Sequence, residues 1–116
     1  MKNQPFDHRL RFAIRGIGKA LASERSMRVH AGALLAVLVA LIVLRPPAFW
    51  WVALLLAAAL VLITELMNTA LEALADCVHP EAHPLIEKAK DCAAGAVLVA
   101  SVFALAVAAA FIVSLT

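Results

Sequence analysis

The sequence predicts an all-α membrane protein: an N-terminal amphipathic surface helix followed by three transmembrane helices, forming one domain over residues 1–116. Three observations carry this. Hydrophobic residues make up 65% of the 116, and the mean hydropathy is +0.95; a soluble domain is nearer half apolar. The apolar residues gather into separate runs, at 29–44, from 48 onward and at 92–115. Each approaches the ~20 residues that cross the ~30 Å hydrocarbon layer. Seven of the ten basic residues, Lys2, Arg9, Arg11, Arg15, Lys19, Arg25 and Arg28, precede the first run. That clustering fits a juxtamembrane segment that sets orientation and touches anionic lipid, rather than a nucleic-acid arm.

The elements follow in order. In 6–22, Phe6, Leu10, Ala13, Ile17 and Leu21 recur at steps of three or four between Arg9, Arg11, Arg15 and Lys19. This spacing predicts a basic amphipathic helix lying in the membrane interface. Gly16 and Gly18 weaken it and suggest a bend or a close approach. Gly16-Ile17-Gly18-Lys19 lacks the third glycine and the flanking strand of a phosphate-binding loop. Residues 29–44 form the first span, which Arg45-Pro46-Pro47 ends. The second span covers 48–68, opens on the interfacial aromatics Phe49, Trp50 and Trp51, and continues as helix to about Asp76. A polar loop with two prolines is expected over 77–84. The third helix starts near Leu85 and spans the membrane over 92–115.

Orientation follows from the basic residues. The N-terminal segment and the loop around Lys88 and Lys90 belong on the cytoplasmic side. All eight acidic residues and all four histidines then gather on that face, where ATP and magnesium are. A cleavable signal peptide is not expected, because the basic region is too long and no small-x-small site follows it. Cys77 and Cys92 flank the loop and are expected as reduced thiols. With His79 and His83 they match no ordinary zinc spacing.

One stripe stands out. Glu65, Asn68, Glu72 and Asp76 fall at i, i+3, i+7 and i+11 on one helical face. Glu65 comes one turn after an uncharged stretch of Leu, Val and Ile. An ionisable group there is costly, so it reads as functional. Asp76 is explained equally well as a solvated helix end. Lys90-Asp91 precedes the small residues Ala93-Ala94-Gly95-Ala96, a surface that admits another backbone. Glu24, between the first helix and the first span, suits a shared magnesium with Glu72. Magnesium takes one or two carboxylates plus substrate phosphates.

Glu65-Leu-Met-Asn68-Thr-Ala-Leu-Glu72-Ala-Leu-Ala-Asp76, then His83-Pro84, then Lys88-Ala-Lys90-Asp91, resembles the prokaryotic diacylglycerol kinase family, which includes small undecaprenol kinases. The resemblance covers nearly the whole chain. It implies an ATP- and Mg2+-dependent lipid kinase of the bacterial inner membrane, a homotrimer with active sites shared between subunits on the cytoplasmic side. It implies that Glu65 is the base that takes the proton from the lipid hydroxyl, and that Glu24 and Glu72 hold the metal bound to ATP. Asn68, Asp76, Lys90 and Asp91 match further nucleotide-site residues, and Glu81 to His83 a loop near the adenine. Phe12 falls at an aromatic position of the ATP site but lacks a hydroxyl. Arg9, Arg11 and Ala94 match the lipid substrate's surroundings. Diacylglycerol is the expected acceptor, with undecaprenol the alternative suggested by Glu24-Arg-Ser-Met-Arg28-Val-His30. A transporter or proton channel using Glu65 is the competing class, but the acids cluster at one face and no internal repeat is visible. A non-catalytic partner subunit gives no reason for the stripe.

Overall fold

The computed structural model describes residues 3–116 and contains four α-helices: α1 (Phe6–Ser23), α2 (Arg25–Leu44), α3 (Ala48–Val78) and α4 (Pro84–Ser114). Lys2 of the basic segment lies outside the described residues. The last three helices are each long and apolar enough to cross a membrane.

Each boundary has a local cause. α1 follows Pro5 and runs unbroken through Gly16 and Gly18. A side chain at either glycine would meet nothing within 4 Å, so the expected bend and close approach do not occur there. Two glycines cost about 1 kcal/mol each in a helix, too little to break it. The break falls instead at Glu24, whose backbone is extended (φ −114°, ψ 117°) while its N–H donates to Ala20 O at 2.9 Å. Arg28 stabilises the corner: its Nη1 donates to the carbonyls of Leu21 (2.8 Å) and Ala22 (3.1 Å) in the last turn of α1.

α2 ends where Arg45 turns left-handed (φ 48°, ψ 56°), its N–H donating to Leu41 O. Pro46 and Pro47 cannot continue a helix. α3 then runs 31 residues, ten beyond the span's predicted end at 68, and α4 also has 31. At ~1.5 Å per residue each is roughly 46 Å long, more than the hydrocarbon thickness, so both extend into the aqueous boundary. The interhelical loop is shorter than 77–84: Cys77 and Val78 finish α3, and Pro84 opens α4. Proline suits that first helical position because its missing N–H has no partner there anyway.

α3 is the central helix, packing along α4 most extensively and along α2 next, with α1 touching α2 and α3 lightly. The core sits at the end of the bundle away from the α1–α2 corner. Leu41, Leu54 and Phe111 are buried there against Val37, Trp50, Trp51, Leu55 and Val107. Trp50 meets Phe111 edge to face at 5.3 Å. Outward-facing Leu35, Val39, Leu56, Leu60, Val99 and Phe103 are all exposed, as lipid- or subunit-facing residues of a small membrane bundle are. Thr64 returns its hydroxyl to Leu60 O and Val61 O (3.0 and 2.9 Å), which satisfies it without water.

Candidate functional site

At the other end of the bundle, α3 carries its acidic stripe into the angle between α2 and α4. Glu65 is 4% exposed and is the buried charged side chain of the described residues. Its carboxylate is gripped from α2. Ser26 Oγ donates to Oε2 at 3.2 Å, and His30 Nε2 lies 3.4 Å from Oε1. Ser26 and His30 are one turn apart on α2, so both reach the same carboxylate. These partners were not legible as such in the sequence, where the segment reads as an ordinary charged boundary. The usable signal was the i, i+4 spacing of two donors opposite an acid that needs them.

One turn further along α3, Asn68 Nδ2 donates to Glu72 Oε1 at 3.3 Å. Asn68 Oδ1 and Thr69 Oγ1 are buried without a hydrogen-bond partner. Beyond them, Lys90 of α4 donates to Asp76 Oδ1. That hydrogen bond, together with the nearby charges of Asp76, Glu72 and Glu87, raises the Lys90 pKa above its ordinary 10.5, against the opposing effect of desolvation. The stripe is therefore divided: Glu65 faces α2, and Asp76 is tied to α4.

Glu24 is half-buried at the α1–α2 corner, in a depression of about 470 Å³ that it shares with Arg25, Ser26, Val29 and His30. Since Ser26 and His30 also hold Glu65, the two glutamates border the same pair of side chains. Among the described residues, no three of His, Cys, Asp and Glu group to hold a metal ion. A magnesium that arrives with a nucleotide brings phosphates and water as most of its ligands and needs no such group of three.

The remaining expected site residues lie further out. Phe12 is exposed on α1, with the Arg15 guanidinium 5.6 Å from its ring, and lines a shallow surface depression with Gln4, Arg15, Gly16 and Lys19. Arg11 pairs with Asp7 at 3.9 Å, and Arg9 is exposed. Glu81 is exposed; its carbonyl accepts from His79 Nδ1 at 2.8 Å. His83 has a structural task, accepting the Leu85 N–H on Nδ1 (3.1 Å) as the N-cap of α4. This leaves only Nε2 for another contact. Asp91 and Ala94 are exposed on α4. No hydrogen bond or ion pair joins Phe12, Arg9, Arg11, Glu81, Asp91 or Ala94 to the Glu65 cluster among the described residues. Cys77 and Cys92 are free and exposed.

A second feature meets the site. An apolar groove of about 250 Å³ begins at His30 and runs between α2, α3 and α4 past Leu34, Val37, Leu54, Ala58 and Ala104. A polar cluster at the head of an apolar groove suits a molecule with a polar end and a hydrocarbon body.

The sequence profile of the family described as prokaryotic diacylglycerol kinase matches residues 11–112. The chain belongs to that family. It is 40% identical over 98 residues to a diacylglycerol kinase of Synechocystis sp., a match covering 84% of this chain and 56% of that one. The chain thus spans little more than half the length of the cyanobacterial relative. It is 36% identical over 88 residues to an undecaprenol kinase of Bacillus subtilis (76% of this chain, 72% of the relative). It is 33% identical over 93 residues to the diacylglycerol kinase of Escherichia coli (80% and 76%). The family match takes in most of α1 and nearly all of α4, so every candidate residue from Phe12 to Ala94 lies within it.

Proposed function

We propose that this chain is an ATP-dependent lipid kinase that phosphorylates the hydroxyl of a membrane lipid alcohol, diacylglycerol being the acceptor. The observation that carries the reading is Glu65: a buried carboxylate at the end of an apolar helix, hydrogen-bonded by Ser26, approached by His30 and set at the head of an apolar groove. A lipid hydroxyl lies at the bilayer boundary, and a nucleotide approaches from water. The end of the α3 span is where both can meet.

In this mechanism Glu65 takes the hydroxyl proton as the lipid oxygen attacks the γ-phosphorus in line. The bond between the γ-phosphorus and the bridging oxygen breaks, and ADP leaves. Each Glu65 oxygen has a second lone pair beyond the one facing α2, so the carboxylate can accept from substrate while still held. Phosphoryl transfer needs positioning and charge neutralisation more than covalent help. Glu24 and Glu72 would hold the magnesium that accompanies ATP, which would neutralise phosphate charge. Lys90 supplies positive charge near the phosphates, positioned by Asp76, and Asn68, with its unpartnered buried oxygen, accepts from a substrate donor. Asp91, Glu81, His83 and Phe12 border the nucleotide, and Arg9, Arg11 and Ala94 the lipid. The resemblance to the family implies a homotrimer with shared sites, and the exposed flanks of α2, α3 and α4 leave surface for neighbouring subunits or lipid. α1, whose Phe6, Leu10, Ile14 and Ile17 are uncovered, lies in the interface of the bacterial inner membrane on the cytoplasmic side.

Undecaprenol is the second acceptor reading, favoured by the Bacillus subtilis relative. The test is purified protein in mixed micelles with ATP, magnesium and either lipid, scored for phosphorylated product. Transfer to diacylglycerol supports the first reading, and transfer to undecaprenol alone moves the assignment to the second. If folded protein phosphorylates neither alcohol, the kinase reading is wrong.

A further inference from the structure

Resting on the reading of Glu65 as the base, we infer that Ser26 and His30 are its positioning residues, fixing the carboxylate so that its free lone pairs point at the lipid hydroxyl. Three observations lead there. Glu65 is buried, and a buried carboxylate needs hydrogen-bond partners to be held in place. Among the described residues, the polar contacts to its oxygens come from α2 and not from α3 or α4: Ser26 Oγ on Oε2 and His30 Nε2 beside Oε1. Each oxygen has its own partner, so the carboxylate can neither rotate nor exchange its oxygens without losing one.

The geometry separates the two roles. The Ser26 contact is already a hydrogen bond. His30 is at charge-contact distance, 3.4 Å, and its side chain is 24% exposed against 6% for Glu65. Contacts of this kind shorten when the reacting complex forms. His30 also lines the mouth of the apolar groove. A lipid occupying that groove would press its polar end against His30 and Glu65 together, closing the contact as the hydroxyl arrives. The α1–α2 corner at Glu24 sets the start of α2 and therefore the height of Ser26. Arg28, which pins that corner to Leu21 and Ala22, supports the arrangement from outside the site.

The test compares variants that remove a donor with variants that keep it. Ser26→Ala and His30→Leu should each lower kcat about 10- to 100-fold, the size of one hydrogen bond to a charged group, with KM for ATP and lipid within about twofold. Ser26→Thr keeps a hydroxyl, and His30→Gln places an amide N–H near the imidazole Nε2. Both should recover most of the loss. In a Glu65→Gln background, already without a base, His30→Leu should lower kcat no further, the signature of two residues acting as one unit. Equal kcat for His30→Leu and His30→Gln, or full kcat in the Ser26→Ala/His30→Leu double variant, would overturn the inference while leaving Glu65 as base. Turnover by Glu65→Gln near the wild-type rate would instead remove the base reading itself. If His30→Leu does not fold, the Ser26→Ala against Ser26→Thr comparison decides alone.

Discussion

The two ends of the helix bundle are built on opposite principles. At one end Leu41, Leu54 and Phe111 interlock with the tryptophans of α3 in an apolar cluster. At the other, polar side chains meet in three groups: Ser26 and His30 on Glu65, Asn68 on Glu72, and Lys90 on Asp76. In lipid, helices gain little from leaving the solvent, and association rests on close packing and interhelical hydrogen bonds. The apolar end therefore supplies cohesion by shape. The polar end places groups that would be costly anywhere else in the span, and the proposed chemistry is assigned to it.

The sharpest way to break this division is to remove one proton acceptor. Glu65→Gln retains an oxygen that can accept from Ser26, so melting temperature and nucleotide binding should stay near wild type. Turnover should fall about 10²- to 10⁴-fold, read by lipid phosphorylation alongside nucleotide titration. Equal loss of binding and turnover would make Glu65 a metal ligand or a structural group. The opposite end should answer in the opposite currency. Phe111→Ala empties the space beside Trp50 and should cost on the order of 2 kcal/mol, less than the ~3–5 kcal/mol of a water-facing core because lipid stands where water would. Turnover per folded molecule should be nearly unchanged, and a large fall in kcat without a change in melting would mean the two ends are coupled.

Smaller effects sharpen the polar end itself. Glu72→Gln should raise the magnesium concentration for half-maximal activity several-fold, with maximal rate partly restored at saturating metal; an unchanged magnesium dependence argues against a metal role. The smallest effect belongs to the Asp76–Lys90 pair. Because the hydrogen bond to Asp76 raises the Lys90 pKa in the folded protein, its contribution is complete below the ordinary value of 10.5 and is lost as pH rises through the raised one. Melting followed from neutral to strongly alkaline pH should show a late, minor decline. Asp76→Asn should remove it and leave melting near neutral pH almost unchanged, since exposed ion pairs contribute little. Identical alkaline profiles for the two proteins would show that the pair has no part in stability.

Much of this molecule was legible residue by residue. Length and hydropathy mark the spans, Arg45-Pro46-Pro47 marks the turn, and a glutamate one turn after pure Leu, Val and Ile marks the candidate site. Family motifs from Glu65 to Asp91 then match as one block. Other assignments were not local. His83, expected beside a nucleotide, also caps α4 through Nδ1, and Asp76, read both as a solvated end and as a match to a nucleotide-site residue, is tied to Lys90 from the next helix. The glycines of α1 carry no bend, and the corner falls at Glu24 instead.

The sequence by itself determined where the helices run, which end of the bundle is polar and which carboxylate is too expensive to be incidental, because hydration cost and helix breaking are properties of short stretches of chain. Only the tertiary structure decided which residues answer Glu65. Ser26 and His30 lie 39 and 35 positions away, and the contact depends on how α2 is rotated about its axis. A span that is apolar on every side carries no stripe to declare that rotation; it is fixed by packing against α3 and by the corner at Glu24.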